Sequence, residues 1–422
     1  MALNEYIVDL HIHSKFSRAC SRDLVLPKIA ETAALKGIHL VGTGDFTHPE
    51  WFQMMKNELQ QNDLGFYEVK NVKTFRPVEF VPTAEISCIY SKNGAVRRLH
   101  LLVVAPTFEI VEKINRRLEA IGNIHSDGRP ILGLDAKELL KIMLDVSDEC
   151  LMIPAHAWTP WFSIFGSKSG FDSIEECFEE LASHITSIET GLSSDPPMNW
   201  RLSKLDNITL VSNSDAHSLD NLGREANVFK RGEGMIYQRL INILRGQNKD
   251  DFLYTIEFYP EEGKYHFDGH AVCGVRLTPE ETERYGGRCP KCQKLATVGV
   301  LNRVNELADQ SGNDKISGRT SFKSIVPLRE ILAEVLNVGK HTKSVDAVYR
   351  SLVPRLGSEF DVLIYASIAD IAAVGSKEIA LAVEKMRERD IEVVPGYDGV
   401  FGTVHIFKEG ERHLMKQDTL FG

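Results

Sequence analysis

Asp9-Leu10-His11-Ile12-His13 ends a strand-like run near the start of the chain and presents two histidines. Side chains at positions i and i+2 of a strand point to the same face of its sheet. His11 and His13 can therefore bind one metal ion if the strand opens into a cavity. Alone, such a pair is more often a packing feature than a metal site, so further ligands must come from the rest of the chain.

Short apolar runs alternate with helical patterns over the first 260 residues. This alternation predicts a parallel sheet covered by helices, and about seven repeats predict a closed barrel with functional residues at the carboxyl ends of its strands. The predicted strands are Tyr6–His13, His39–Asp45, Val78–Tyr90, Arg97–Pro106, Leu151–His156, Ile185–Thr190 and Ile208–Ser214. The predicted helices are Leu26–Lys36, Phe108–Ile121, Ala136–Val146 and Ile174–Ser183.

The predicted strands end in side chains that can bind metal ions. The candidate ligands are His11, His13, Asp45, His48, Glu85, His100, His156, Asp215 and His217, with Glu189 at the sixth strand end. Taken singly, Asp45, His48 and Glu189 also fit a helix cap or a buried polar side chain. Imidazoles and carboxylates without cysteine suit zinc, manganese, magnesium or iron. Because the set exceeds what one ion needs, two or three divalent metals are predicted, with Glu85 as a bridging ligand.

Three of these residues are also predicted to be catalytic. Clustered metals bind a phosphate and lower the pKa of a water molecule, which are the requirements of phosphoester hydrolysis. Asp215 stands beside His217 and can hold or deprotonate the attacking water, and Glu85 completes the predicted catalytic set.

These strand ends resemble the polymerase-and-histidinol-phosphatase (PHP) domain family over roughly residues 5–250. The matching residues are Asp9-Leu10-His11-Ile12-His13-Ser14, Gly44-Asp45, Glu85, His100, His156 and Ser214-Asp215-Ala216-His217. The resemblance implies a distorted seven-stranded (β/α) barrel with a polynuclear metal phosphoesterase site. The family often has Asp-His at the second strand end, whereas this chain has Asp45-Phe46 with His48 two places later, so the ligands of a third metal stay open.

An aromatic loop follows the fifth predicted strand, over residues 157–171. Its aromatic side chains are Trp158, Trp161, Phe162, Phe165 and Phe171. Such rings can stack on an unpaired or extruded base, which makes the loop a candidate DNA-contacting surface. A loop fixed to the barrel by buried aromatic side chains is an equally good interpretation.

A metal site of a different kind is predicted within residues 264–300. Two residues separate His270 from Cys273 and Cys289 from Cys292, and fifteen residues separate the two pairs. This spacing is typical of a structural zinc site on two knuckles. A deaminase-type zinc centre is disfavoured because no His-x-Glu lies nearby to supply its acid and base.

The remaining part, residues 301–416, is predicted to be mainly helical. Residues 368–383 predict two helices around a turn at Gly375, which resembles a helix-hairpin-helix. In that motif the turn and the start of the second helix, here Lys377, hold a DNA phosphate. An ordinary helical hairpin fits the pattern equally well.

The tail, residues 417–422, contains Gln417, Leu420 and Phe421 in a Gln-x-x-Leu-Phe pattern. This pattern resembles the peptide that docks into the bacterial sliding clamp. A clamp is therefore a predicted partner, and one Leu with one Phe would fill its apolar pocket.

Composition predicts a cytoplasmic, nucleoid-associated protein of two or three domains. The chain has 422 residues, a formal net charge of −10 and 43% hydrophobic residues. No apolar run reaches the roughly 18 residues of a membrane span, and the first residues lack the pattern of a signal peptide. Seven cysteines, four of them scattered, suit a reducing compartment. The negative charge does not exclude DNA, because bound metals would add positive charge at the acidic site.

The order of these features resembles the endonuclease Q family over essentially the whole chain. The resemblance rests on Gly269–Pro279, Cys289–Cys292, Pro327–Glu330 and Pro395–Gly399, together with the barrel residues. It implies a metal-dependent endonuclease, of bacterial type, that repairs DNA. The implied substrate is single- or double-stranded DNA, cut on the 5′ side of deaminated bases (uracil, hypoxanthine, xanthine) or abasic sites.

Two other functions fit parts of the sequence. A PHP-family phosphatase acting on a small phosphomonoester explains the barrel but not the zinc knuckles or the tail. A non-catalytic, clamp-associated DNA-binding module explains the tail, but the near-complete ligand set argues against it. An amidohydrolase also begins with His-x-His, yet the closing Asp215 and His217 suit a phosphoesterase better.

Overall fold

The computed structural model describes residues 4–311, 319–409 and 411. Its strands are β1 (Glu5–Asp9), β2 (Leu40–Gly42), β3 (Leu59–Gln61), β4 (Tyr67–Val69), β5 (Glu79–Val81), β6 (Thr83–Lys92), β7 (Ala95–Val104), β8 (Ile131–Leu132), β9 (Leu151–Pro154), β10 (Ser187–Glu189), β11 (Thr209–Val211), β12 (Ala226–Lys230), β13 (Phe252–Glu257), β14 (Asp268–His270), β15 (Val275–Leu277), β16 (Ser321–Ser324), β17 (Glu392–Val394) and β18 (Thr403–His405). Its α-helices are α1 (Leu26–Lys36), α2 (Pro49–Glu58), α3 (Phe108–Glu119), α4 (Ala136–Val146), α5 (Ile174–Phe178), α6 (Pro196–Asn199), α7 (Tyr237–Leu244), α8 (Pro279–Arg284), α9 (Val300–Leu307), α10 (Leu328–Leu336), α11 (Lys343–Leu356), α12 (Ile368–Val374) and α13 (Lys377–Glu388).

The first 260 residues confirm the predicted α/β class, but their strands are divided among three sheets. One sheet has the order β16-β13-β12-β1-β2-β5-β4-β3, a second has β8-β6-β7-β9, and β10 pairs with β11. Backbone hydrogen bonds outside the ladders connect the sheets: the N–H of Ala157 donates to Glu189 O (2.9 Å), and that of His13 donates to Ala216 O (3.1 Å). The ends of β1, β9, β10 and β11 are thereby held beside one another.

The prediction of an all-parallel sheet is wrong at β6 and β7, which form an antiparallel hairpin. Its two-residue turn is Asn93-Gly94, and both residues have positive φ, 55° and 75°. Asn-Gly is the turn that favours such hairpins, a signal that the strand–helix alternation obscured. His100 consequently lies within β7 and not at the end of a parallel strand.

Alternate side chains of the strands pack into two apolar layers, as the period of two requires. Val8, Leu10, Leu40, Val81 and Leu102 belong to one buried cluster, which also includes the apolar face of α7. Their neighbours Ile7, Val41, Phe80, Leu101 and Val103 belong to a second cluster with α1, α3 and α4.

The C-terminal part is less separate from the barrel than the domain boundaries predict. β16 pairs in parallel with β13 and so extends the long sheet. Helices α10 to α13 form the predicted helical region, and Gly375 separates α12 from α13. The loop before β18 returns to the zinc-knuckle region, where the N–H of Phe267 donates to Gly396 O (2.9 Å). The predicted clamp-binding residues Gln417, Leu420 and Phe421 lie outside the described residues.

Within the described part of the chain, no helix is both long enough and apolar enough to cross a membrane.

Candidate metal centre

Six of the predicted ligands form two overlapping groups in the structure. One group contains His11, His13, Glu85 and Asp215, and a second contains Glu85, His100 and His156. In each group the ligand atoms lie within 4.8 Å of one another. Glu85, for which a bridging role is predicted from the sequence, belongs to both groups.

Glu85 is the centre of the cluster and is 1% exposed. Its Oε1 lies 2.8 Å from His100 Nδ1 and 3.1 Å from His156 Nε2. Its Oε2 lies 3.4 Å from His13 Nε2. The residue is the third of β6, which begins two residues after the end of β5.

The donor set fits divalent metal ions. His11 Nε2 is a buried nitrogen without a hydrogen-bond partner. It lies 3.7 Å from both Glu85 Oε1 and Asp215 Oδ1, too far for a hydrogen bond. An ion among these three atoms would satisfy the nitrogen and offset both carboxylates, and imidazole with carboxylate suits zinc, manganese or iron.

The charges of the cluster are strongly coupled. Burial alone would lower the pKa of His11, but Glu189 and Glu85 raise it well above its ordinary value. Burial likewise opposes ionisation of Glu85, yet His100 and Arg129 hold its pKa well below the ordinary value. For Asp215, burial is outweighed by the hydrogen bond and charge of His13, which lower its pKa. Because metals bind neutral imidazole, metal binding would release protons here.

Two carboxylates contact the Nδ1 atoms of His11 and His13. Asp45 Oδ1 lies 3.1 Å from His13 Nδ1, while its Oδ2 accepts from Ser14 N (2.7 Å), Ser14 Oγ (2.6 Å) and Ser17 Oγ (2.9 Å). Glu189 Oε2 lies 3.0 Å from His11 Nδ1. Carboxylates in this position fix the tautomer and direction of a ligating ring. Asp45, predicted as a ligand, is therefore placed to orient one.

The remaining predicted ligands lie beside the cluster. His217 belongs to neither ligand group, although its Nδ1 lies 3.5 Å from Asp215 Oδ1. His48 also belongs to neither group, and its ring stacks on Phe16 with centroids 4.3 Å apart. Among the described residues, His48 is therefore not one of the clustered ligands. His48 precedes α2, and Pro49 begins that helix.

Three residues of the site have left-handed backbone conformations, which residues other than glycine rarely adopt. Asp45, His156 and Asp215 have φ of 50°, 31° and 45°. Such conformations cost about 1–3 kcal/mol each and persist where the surrounding structure imposes them. Their occurrence at three separate strand ends of one cluster agrees with a functional site.

Arg129 is a site residue that the sequence analysis missed. Its Nη1 donates to Glu85 Oε2 over 2.9 Å. The preceding Gly128 packs so closely on the site that a Cβ there would lie 2.2 Å from Asp45 Oδ2. The only sequence signal was the stretch Gly128-Arg129-Pro130 between two predicted helices, away from the predicted strand ends.

The aromatic loop is largely packed into the protein. Trp158, Phe165 and Phe171 are each 1% exposed, which corrects their predicted contact with a base. The guanidinium of Arg303 donates to the backbone oxygens of Phe165 (3.1 Å) and Phe171 (3.3 Å) and so fixes the loop to α9.

Other predicted DNA contacts are accessible. Trp161 is 36% exposed. The half-buried ring of Phe162 lies 4.7 Å from that of His100, at the edge of the metal centre. Lys377 is exposed at the start of α13, after the helix cap Ser376.

The four predicted zinc ligands also come together. Ligand atoms of His270, Cys273, Cys289 and Cys292 lie within 4.8 Å of one another. Burial would raise the pKa of Cys289, but backbone N–H groups of Cys292 and Lys291 lower it. Such amides stabilise a thiolate, the form that binds zinc. The cluster therefore fits a structural zinc ion, and no position is left for a catalytic water.

Two solved structures resemble this fold over nearly its whole length. One is the lesion-specific endonuclease PfuEndoQ from Pyrococcus furiosus, with 32% identity, a TM-score of 0.84 and coverage of 98% of this chain and 99% of that chain. The other is endonuclease Q in complex with a 27-mer duplex substrate that has an abasic lesion at the active site. It shows 33% identity and a TM-score of 0.84, covering 96% of this chain and 97% of that chain.

Two uncharacterized proteins are similar in sequence. YqxK of Bacillus subtilis is 28% identical over 95% of this chain and 100% of its own length. MJ0043 of Methanocaldococcus jannaschii is 30% identical over 59% of this chain, and the match spans only 31% of that protein. Residues 327–390, which contain α10 to α13, match the family model of the MJ0043 C-terminal domain.

Proposed function

Because the chain belongs to the endonuclease Q family, we propose that it is a DNA repair endonuclease that cuts on the 5′ side of deaminated bases or abasic sites. The observation that carries this proposal is the whole-length similarity to a lesion-specific endonuclease. The clustering of His11, His13, Glu85, His100, His156 and Asp215 supports it, because a phosphodiesterase of this type needs such a site.

The proposed chemistry needs divalent ions, which would be held by His11, His13, Glu85, His100, His156 and Asp215. Such ions would bind the scissile phosphate and lower the pKa of a water molecule. The protein's own part is to hold the ligands: Asp45 fixes His13, and Glu189 fixes His11. Arg129, 2.9 Å from Glu85, adds a fixed positive charge that a phosphate oxygen would also approach.

Asp215 is the residue proposed to direct the attacking water. Its side chain is 24% exposed, whereas those of His11, His13 and Glu85 are fully buried. Its Oδ1 is 3.1 Å from His13 Nε2 and 3.5 Å from His217 Nδ1. An ionised carboxylate at the open side of the cluster can accept a hydrogen bond from water. The neighbouring imidazole of His217 is proposed to assist Asp215 in directing this water.

The lesion base is proposed to enter a cleft between the barrel and the downstream regions. A cavity of about 500 Å³ lies next to the loop that follows Asp215, and Ser218, Arg224, Lys340 and Phe401 are among its lining residues. A deaminated base pairs weakly, and an abasic site has no base to pair. Both lower the cost of extruding the damaged nucleotide and thereby favour damaged sites. Trp161, Phe162 and Lys377 remain proposed DNA contacts, and the sliding clamp remains a proposed partner of the tail.

The proposal is tested with end-labelled duplexes that carry uracil, hypoxanthine, xanthine, an abasic site or no lesion. Mn²⁺, Mg²⁺ and Zn²⁺ are compared, and product length identifies the bond that is cut. Single nicks 5′ of the lesion are expected, without cutting of the undamaged duplex. Hydrolysis of small phosphate monoesters without any nicking would favour the alternative phosphatase, and DNA binding without either activity would favour the non-catalytic module.

A further inference from the structure

Glu225 and Glu257 are two buried carboxyl groups at one end of the ladder between β12 and β13. Glu225 and Glu257 are both 0% exposed. β12 pairs antiparallel with β13, and the pair Ala226–Ile256 is the last of its ladder. Continued by one residue, this register would place Glu225 opposite Glu257, and opposed residues of neighbouring strands have Cβ atoms about 5 Å apart.

Each carboxyl group has one oxygen that is hydrogen-bonded and one that is not. Glu257 Oε2 accepts from Thr190 Oγ1 and Ser212 Oγ, both at 3.2 Å. Glu225 Oε1 accepts from Phe258 N at 3.4 Å. The second oxygens, Glu257 Oε1 and Glu225 Oε2, are buried without a hydrogen-bond partner among the described residues. Two ionised carboxylates in this position would repel each other strongly in a medium of low polarity.

The surrounding charges do not neutralise such a pair. The guanidinium of Arg224 lowers the pKa of Glu225, but its Nε donates to the backbone oxygen of Ser214 (2.8 Å). Two further carboxylates add negative charge: Glu189 raises the pKa of Glu225, and Asp195 raises the pKa of Glu257. One carboxyl group must therefore take up a proton, unless a cation lies between the two.

We propose that Glu225 and Glu257 share one proton, so that a carboxylic acid donates to a carboxylate across the end of the β12–β13 ladder. This arrangement gives both partnerless oxygens a partner and leaves a single negative charge. It needs no further ligand, since the proton comes from solvent during folding.

The acid–carboxylate pair acts as a positioning device for the metal centre. Thr190 and Ser212, which contact Glu257, lie next to Glu189 and Asn213 in the chain. Asn213 Nδ2 donates to Glu189 Oε2 (3.0 Å), the oxygen that also lies 3.0 Å from His11 Nδ1. A misplaced Glu257 would thus shift the residue that orients His11. The activity readout of this inference rests on the proposed nuclease function, whereas its stability readout does not.

The protonation of the pair determines how the stability of the protein changes with pH. Burial raises the pKa of Glu257 to about 8 and that of Glu225 well above its ordinary value. A folded-state pKa above the unfolded one means that the folded protein binds more protons in between, so stability falls as pH rises through that window. For Glu257 the window runs from the unfolded value of about 4.3 to the folded value of about 8.

Glu257→Gln tests the inference because glutamine copies the shape of the protonated acid and cannot ionise. Denaturant unfolding of the wild type, Glu257→Gln and the exposed control Glu31→Gln is followed from pH 5 to pH 8. Relative to the wild type, the folding equilibrium constant of Glu257→Gln should increase with pH by up to about tenfold per unit. Glu31→Gln should show no such trend.

Metal content and nicking rate distinguish a positioning role of Glu257 from a general contribution to stability. Metal content is compared between Glu257→Gln, which keeps an oxygen facing Thr190 and Ser212, and Glu257→Ala, which removes it. Glu257→Ala should bind the barrel metals about 10–100-fold more weakly, and excess metal should restore its nicking. Glu225→Gln, as a second variant, should also lose the pH trend.

Three results would overturn the shared proton. They are an unchanged pH trend in both glutamine variants, equal destabilisation of Glu257→Gln at every pH, and loss of one bound metal ion per chain in that variant. The last result would assign a cation to the pair. A wild-type protein that nicks no DNA would refute the proposed function and leave the pH-dependent stability test intact.

Discussion

Asp45→Asn tests whether Asp45 orients His13 or binds a metal directly. Asp45 Oδ1 faces His13 Nδ1, and its Oδ2 receives one N–H and two O–H groups from Ser14 and Ser17. An Asn side chain keeps the shape and tolerates the left-handed backbone, since Asn is among the residues that adopt it. Its NH₂ group, however, must face either the ring nitrogen or the Ser14 N–H. One polar contact is lost in each case, at a cost of about 1–3 kcal/mol.

The size of the expected effect follows from this position behind the ligand. Residues that orient a ligating histidine typically contribute 10–100-fold to metal affinity or activity, which is about 1.4–2.8 kcal/mol. The assay is single-turnover nicking of an abasic duplex over a series of metal concentrations. Asp45→Asn should be slower by this factor at limiting metal and should recover at high metal. Ser17→Ala removes one of three donors to Oδ2 and should change the rate only a few-fold.

Two outcomes would refute the orienting role. A loss as large as that of Asp215→Asn, not restored by metal and accompanied by one fewer ion per chain, would make Asp45 a ligand. An unchanged metal dependence would show that the contact with His13 has no effect on the site.

Four further changes test other parts of the account. Asp215→Asn should lower nicking by about 10³-fold at saturating metal without changing the circular dichroism spectrum, and a small loss would remove Asp215 from its proposed role. Cys289→Ser should reduce zinc content by one ion per chain and lower the unfolding temperature, whereas unchanged zinc would exclude this site. Trp158→Ala should destabilise the protein by about 3–5 kcal/mol, because its ring is buried and its Nε1 donates to Asn199 Oδ1 (2.8 Å). Trp161→Ala should leave stability nearly unchanged but weaken duplex binding by about 1–3 kcal/mol, and the reverse order in denaturation and binding titrations would contradict both assignments.

Four of the ligands that meet in the structure were predictable because they follow buried strands: His11 and His13 follow β1, His156 follows β9 and Asp215 follows β11. Chemically suitable residues at several strand ends indicate one shared site even when the sheet is incompletely known. The clustering of His270, Cys273, Cys289 and Cys292 was predictable from their fixed spacing in the chain.

The roles of Asp45 and Glu189 were not predictable in the same way. Whether a carboxylate binds a metal or holds a histidine depends on which ring nitrogen it faces, and only the structure shows this. Arg129 was missed because it reaches Glu85 from a loop between helices. The ring of Trp158 is buried and its Nε1 donates to Asn199 Oδ1, 41 residues later in the chain, a contact that no local pattern indicates.

Metal-dependent nicking of an abasic duplex tests the central claim most directly. Protein freed of barrel metals is mixed with a duplex carrying one abasic site and with the same duplex undamaged, and a divalent metal is then added. We expect no cutting before the addition and, after it, a single nick confined to the damaged duplex. Equal cutting of both duplexes, or cutting that does not depend on metal, would contradict the assignment of the Glu85 cluster as a lesion-specific phosphoesterase centre.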